Sequence, residues 1–150
     1  MVKLKIKKGW ELTRNSQVIR FFRKRIPAFE CVLGCHECCG PVTATSEEVS
    51  RLPFKDYAEH QAALAEYNCP YLGQNGCQVY LERPLICRLF GTTPSLPCPN
   101  GQKPIQMIDP NIEKDIHHFL AITRQVLLWY LKKAIQQRIF NLTLAQGKVI

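Results

Sequence analysis

The stretch CVLGCHECCG, residues 31–40, places Cys31, Cys35, Cys38 and Cys39 within nine positions, and Cys69, Cys77, Cys87 and Cys98 follow further along the 150-residue chain. Eight thiols open three chemistries: metal ligation, disulfide bonding and thiol catalysis. A two-residue gap, as in Cys35-His36-Glu37-Cys38, lets one tight turn aim two sulfurs at one ion. In zinc sites, where this gap is common, each thiolate sits about 2.3 Å from the metal. Adjacent residues point their side chains apart, so Cys38 and Cys39 suit two sites, or one site beside a spare thiol. The loop also holds Gly34 and Gly40 and many polar groups, and it needs a ligand to order it.

The gaps admit an iron–sulfur reading too. Cys31-x3-Cys35-x2-Cys38 has the spacing with which radical-SAM enzymes hold three corners of a four-iron cluster. This chain has no series of βα units, and it carries Glu37 where those enzymes usually have an aromatic. Only the capacity to grip a cluster carries over. Cys69-Pro70 and Cys98-Pro99 agree with it, because proline often follows a cluster-ligating cysteine.

Cys31-x3-Cys35-x2-Cys38-Cys39 resembles the signature of the YkgJ-type cysteine-cluster proteins, described as zinc- or iron-chelating domains. CPYLGQNGCQVYLERPLICRLF, beginning at Cys69, is similar to the second half of that family's pattern. The resemblance covers about residues 31–90. It implies Cys31, Cys35, Cys38, Cys39, Cys69, Cys77 and Cys87 as metal ligands, with Cys98 a less secure eighth. A related cysteine module in flagellin lysine methylases implies an enzymatic alternative. The chain departs from the pattern at Gly91, where the family often has proline.

Arg83 and Arg88 flank Cys87. Four thiolates around a divalent ion leave a net charge of about −2, which calls for nearby cations and N–H donors. The two arginines could supply them, or they could be ordinary surface residues. His36 is expected to face solvent, His117 and His118 to lie on a polar helix face, and Tyr71 and Tyr80 to pack a hairpin. Glu47 and Glu48 belong to a helix start. The chain contains no dinucleotide-binding or P-loop motif and no nucleophile elbow.

The elements that must position these thiols follow from punctuation and periodicity. VKLKIKK (2–8) alternates like a short edge strand. SQVIRFFRKRI (16–26) reads as a basic helix ended by Pro27, with Val18, Ile19, Phe22 and Ile26 on one side. Thr45 and Glu48 form a capping box, and Pro53 suits the first turn of a second helical stretch to about Tyr67. Residues 69–80 look like two short strands around Asn75-Gly76. Pro84 begins a short helix through Leu89, and residues 91–104 form a proline-rich loop. Asp109-Pro110 starts a helix expected to run to about Phe140, packing under the cysteine region.

The expected fold is therefore mainly α with a small β-hairpin, an irregular cysteine-rich core packed against a long C-terminal helix. A basic segment (1–26) would precede a cysteine-cluster domain (27–150) within one domain overall. The net charge of +8 lies in residues 1–25, which hold nine basic side chains against Glu11 alone. That segment could engage an acidic partner or nucleic acid, with Trp10, Phe21 and Phe22 available to stack on bases. It lacks the apolar stretch of a secretory signal, so a reducing, cytoplasmic setting is expected, where disulfides are rare. No apolar run reaches the roughly 18 residues of a membrane span, because Thr123, Arg124 and Gln125 interrupt Phe119–Leu131. The function expected is metal binding, with zinc or a [4Fe-4S] cluster as cofactor. A redox or methylase-like enzyme and a nucleic-acid-binding protein are the alternatives.

Overall fold

Two capping boxes and a buried glutamate organise the middle of the chain. In the computed structural model, which describes residues 15–127, Thr45 caps a short helix, α2 (Ser46–Ser50), through a reciprocal bond with Glu48. Asp56 and Glu59 form the second box, at α3 (Tyr57–Ala65). This box, rather than Pro53, sets the start of α3, so residues 53–56 stay outside the helix. Pro53 instead offers its carbonyl to the Tyr71 hydroxyl at 2.8 Å.

α1 (Asn15–Arg23) falls where the basic helix was expected, and it is followed by the first strand, β1 (Thr43–Thr45). The expected hairpin is present as β2 (Leu72–Gly73) and β3 (Gly76–Cys77), antiparallel with Gly73 opposite Gly76. Gln74 and Asn75 are thus the turn, one residue earlier than Asn75-Gly76. Gly76 takes a positive φ of 99°, which only glycine adopts readily. A 3-10 turn at Tyr80–Glu82 precedes α4 (Leu85–Leu89).

The last helix is shorter than its periodicity suggests. α5 (Pro110–Ile122) starts at the Asp109 cap with Pro110 in its first turn. It ends at Thr123, whose backbone is extended (φ −95°, ψ 137°). The chain then forms β4 (Gln125–Leu127), antiparallel to β1, with Ala44 opposite Val126. Val126 and Leu127 satisfy helical spacing, but β-branched residues at 123 and 126 also suit a strand, and β1 offers a backbone partner. The expectation of a helix to about Phe140 is corrected to one ending at Ile122. Residues 128–140, like the expected strand at 2–8, lie outside the described residues.

One core joins three helices. Ile19 and Phe22 of α1, Leu85 and Leu89 of α4, and Ile116 and Phe119 of α5 are each at most 2% exposed. The Phe22 and Phe119 rings meet at 5.8 Å, within the range where tilted aromatic pairs attract. Phe22 is therefore core and not a base-stacking platform, while Phe21 lies under the Arg25 guanidinium. Trp10 lies outside the described residues. A smaller cluster of Ala44, Leu52 and Tyr71 backs the cysteine loop side of the molecule, with Cys69 packed against it. Among the described residues no helix is long and apolar enough to cross a membrane.

Candidate metal centre

All eight cysteines line one cavity of about 450 Å³. Four reach it from the loop 31–40 and the other four from separate local devices. The loop 31–40 makes two tight turns, closed by Cys35 N–H to Val32 O (3.0 Å) and Cys39 N–H to His36 O (2.8 Å). Gly34, at φ 77°, permits the first turn. β3 carries Cys77, and the turn before β2 carries Cys69. Gly76 packs on the loop, where a side-chain carbon would sit in van der Waals contact, 3.4 Å from Cys35 O. α4 presents Cys87, and the loop beyond it presents Cys98. The first turn of α4 is fixed by Glu48, whose Oε1 accepts the Leu85 N–H at 2.7 Å.

Donors surround the sulfurs. The Asn100 amide donates to Cys35 Sγ at 2.9 Å. The Tyr80 hydroxyl donates to Phe29 O at 3.0 Å and lies 3.5 Å from Cys31 Sγ. Arg83 stacks 3.7 Å over the Tyr80 ring and lines the cavity. Cys39 donates its S–H to Cys38, which holds the Cys38 thiol down at about 6, with Arg83 adding to the effect. The same interaction, with burial, pushes the Cys39 thiol up. Burial raises Cys69 and lifts Cys87 to about 12.

The eight thiols are free, Cys31 exposed and the others half-buried. Among the described residues no three His, Cys, Asp or Glu side chains close on a single point; all eight thiols line the cavity wall. Arg88 does not border it. Its Nε donates to Arg83 O at 2.9 Å and its Nη2 to Leu81 O. His36 lies outside the lining and only approaches Gly34 O, at 3.4 Å. His117 sits 3.5 Å from Glu113 on α5. Three contributors escaped the sequence reading. Asn100 has no motif to mark it, Tyr80 read as hairpin packing, and Glu48 read only as a cap for its own helix.

The donor set fits a soft or borderline metal. Thiolate-rich sites select zinc, copper(I) or iron–sulfur centres, and N–H and O–H donors aimed at sulfur are what such centres require. The CxxCxxCC family, described as "Putative zinc- or iron-chelating domain", matches residues 30–116. The chain belongs to this family of metal-chelating cysteine-cluster domains. Its first gap holds three residues, Val32 to Gly34, where the family's name has two. No curated protein and no solved structure matches the chain.

Proposed function

We propose that the cavity holds a metal centre bound by the clustered cysteines, and that an iron–sulfur cluster is its better occupant. The observation that carries this reading is the convergence of all eight thiols on one cavity of about 450 Å³. A lone tetrahedral zinc takes four thiolates about 2.3 Å from the ion, which would leave four of the eight thiols lining the cavity unused. A cluster of several irons and sulfides fills more of the space between them. Its potential is set by hydrogen bonds to sulfur and by solvent exposure. Here Asn100 supplies such a bond to Cys35 Sγ, the Tyr80 hydroxyl lies 3.5 Å from Cys31 Sγ, and exposed Cys31 marks the open side.

Cys31, Cys35, Cys38, Cys39, Cys69, Cys77, Cys87 and Cys98 are the candidate ligands, with Arg83 offsetting their charge. The bound group would supply electron transfer if it is a cluster, and structural cross-linking if it is zinc. Zinc is the second reading, favoured by the two-residue gap between Cys35 and Cys38. Anaerobic purification followed by elemental analysis and an absorption spectrum tests both. The cluster reading expects about four irons with matching sulfide and a brown colour that bleaches on reduction. A colourless protein with stoichiometric zinc replaces it with the second reading. A protein that takes up neither metal after anaerobic reconstitution ends both.

A further inference from the structure

A smaller hollow of about 140 Å³ adjoins the thiol cavity, and Phe29, Tyr80 and Arg83 border both. Its remaining polar side chain is Arg88, set against Ile26, Pro27 and Ala28. Arg88 is held by backbone carbonyls, of Arg83 at 2.9 Å and of Leu81. Arg23 Nη2 donates to the same Leu81 oxygen at 2.5 Å, so two guanidiniums meet at one carbonyl. Arg83 is fixed by its Nε bond to Tyr80 O at 3.0 Å.

Three cations therefore crowd this corner. Among the described residues one carboxylate pairs with them: Glu82, 3.0 Å from Arg23 and about half exposed. Neither Arg83 nor Arg88 forms an ion pair with a described residue. Like charges brought together in a part-buried site are costly unless an anion joins them. A guanidinium fork matches the oxygens of phosphate two at a time. With a water's share of liquid at about 30 Å³, the hollow has room for roughly the five heavy atoms of that group.

We propose that this hollow is an anion site for a phosphate group, free or as a monoester, held by Arg83 and Arg88 with Arg23 adding charge. The hollow shares Arg83 with the thiol cavity, so the test is read at Arg88 and Arg23, which do not line that cavity. Titration calorimetry of the full chain as purified, in phosphate-free buffer at fixed ionic strength, tests it with inorganic phosphate and then glycerol phosphate.

Saturable binding of inorganic phosphate is expected, weakened about tenfold or more in Arg88→Gln. Arg88→Lys, which keeps the charge and loses the fork, should fall between. Glycerol phosphate binding as tightly identifies a monoester as the ligand; its exclusion identifies free phosphate. Arg23→Gln, at a residue that does not line the thiol cavity, should weaken phosphate binding and leave metal content unchanged, so the test survives if Arg88→Gln does not fold. Absence of saturable phosphate binding to the parent protein overturns the proposal. Unaltered affinity in Arg23→Gln and the Arg88 variants does so equally.

Discussion

Gly91 shows how one residue governs the wall of the thiol cavity. Its φ is 79°, and a side-chain carbon there would lie 2.4 Å from the Phe29 ring. Phe29 lines the cavity, and the Gly91 N–H donates to Leu96 O at 2.7 Å. Proline fixes φ near −65° and has no N–H, so the proline frequent at this point in the family cannot enter this backbone. Gly91→Ala should destabilise the protein by about 1–3 kcal/mol, and Gly91→Pro by more, read from urea unfolding midpoints. A Gly91→Pro protein as stable as the parent would show that the loop adopts another path. Two further residues act on the sulfurs directly. Cys38 is held down at about 6, so in metal-free protein it should be the first thiol alkylated by iodoacetamide near pH 7. Its rate should drop as pH falls through about 6; mass spectrometry of the labelled peptides checks both. Asn100→Ala removes a donor from Cys35 Sγ. With a redox-active centre in place, the midpoint potential should fall, because that donor favours the more negative reduced state.

At the scale of elements, Glu48 ties two helices together. It accepts from Thr45 N–H and Thr45 Oγ1, both at 3.0 Å, and from Leu85 N–H across 37 residues of sequence. Glu48→Ala should cost about 2–4 kcal/mol and loosen the helix that carries Cys87. Chemical denaturation reads the first effect and hydrogen exchange at Leu85 the second. A parallel tie joins the 91–101 loop to α5, where Glu113 accepts from Ser95 and Thr93 hydroxyls, each at 2.6 Å. Those bonds depress the Glu113 carboxyl. Its contribution is therefore complete above its unfolded value of about 4.3 and is lost as pH falls through the lower folded value. Glu113→Gln should flatten that acid limb in a stability-versus-pH series; an unchanged limb would remove Glu113 as its cause. Local signals made much of this level legible. The Thr45–Glu48 box, Pro84 and Asp109-Pro110 mark helix starts because each satisfies backbone groups within a few residues. The β1–β4 pairing and the Leu85–Glu48 bond were not legible, since both join positions far apart in sequence by contacts that no local pattern encodes. The overlong helix has the same origin, because spacing alone cannot separate a helix from a strand once a distant edge offers pairing.

For the whole molecule, the core of α1, α4 and α5 and the thiol cavity meet at α4. Leu85 and Leu89 face the core while Cys87 faces the cavity. A bound metal would thus add its binding free energy to the fold, and its removal should lower the unfolding temperature and expose thiols together. The cysteine spacing made the candidate ligands readable because ligation constrains residue type and gap. The surrounding donors, Asn100 and Tyr80, were not readable, since any polar residue that folding brings near sulfur can serve. X-ray absorption at the edge of whichever metal the anaerobically purified protein contains tests whether these sulfurs bind it. Sulfur neighbours at about 2.3 Å should dominate the first shell. A first shell of nitrogen and oxygen at about 2.0–2.1 Å would contradict sulfur ligation.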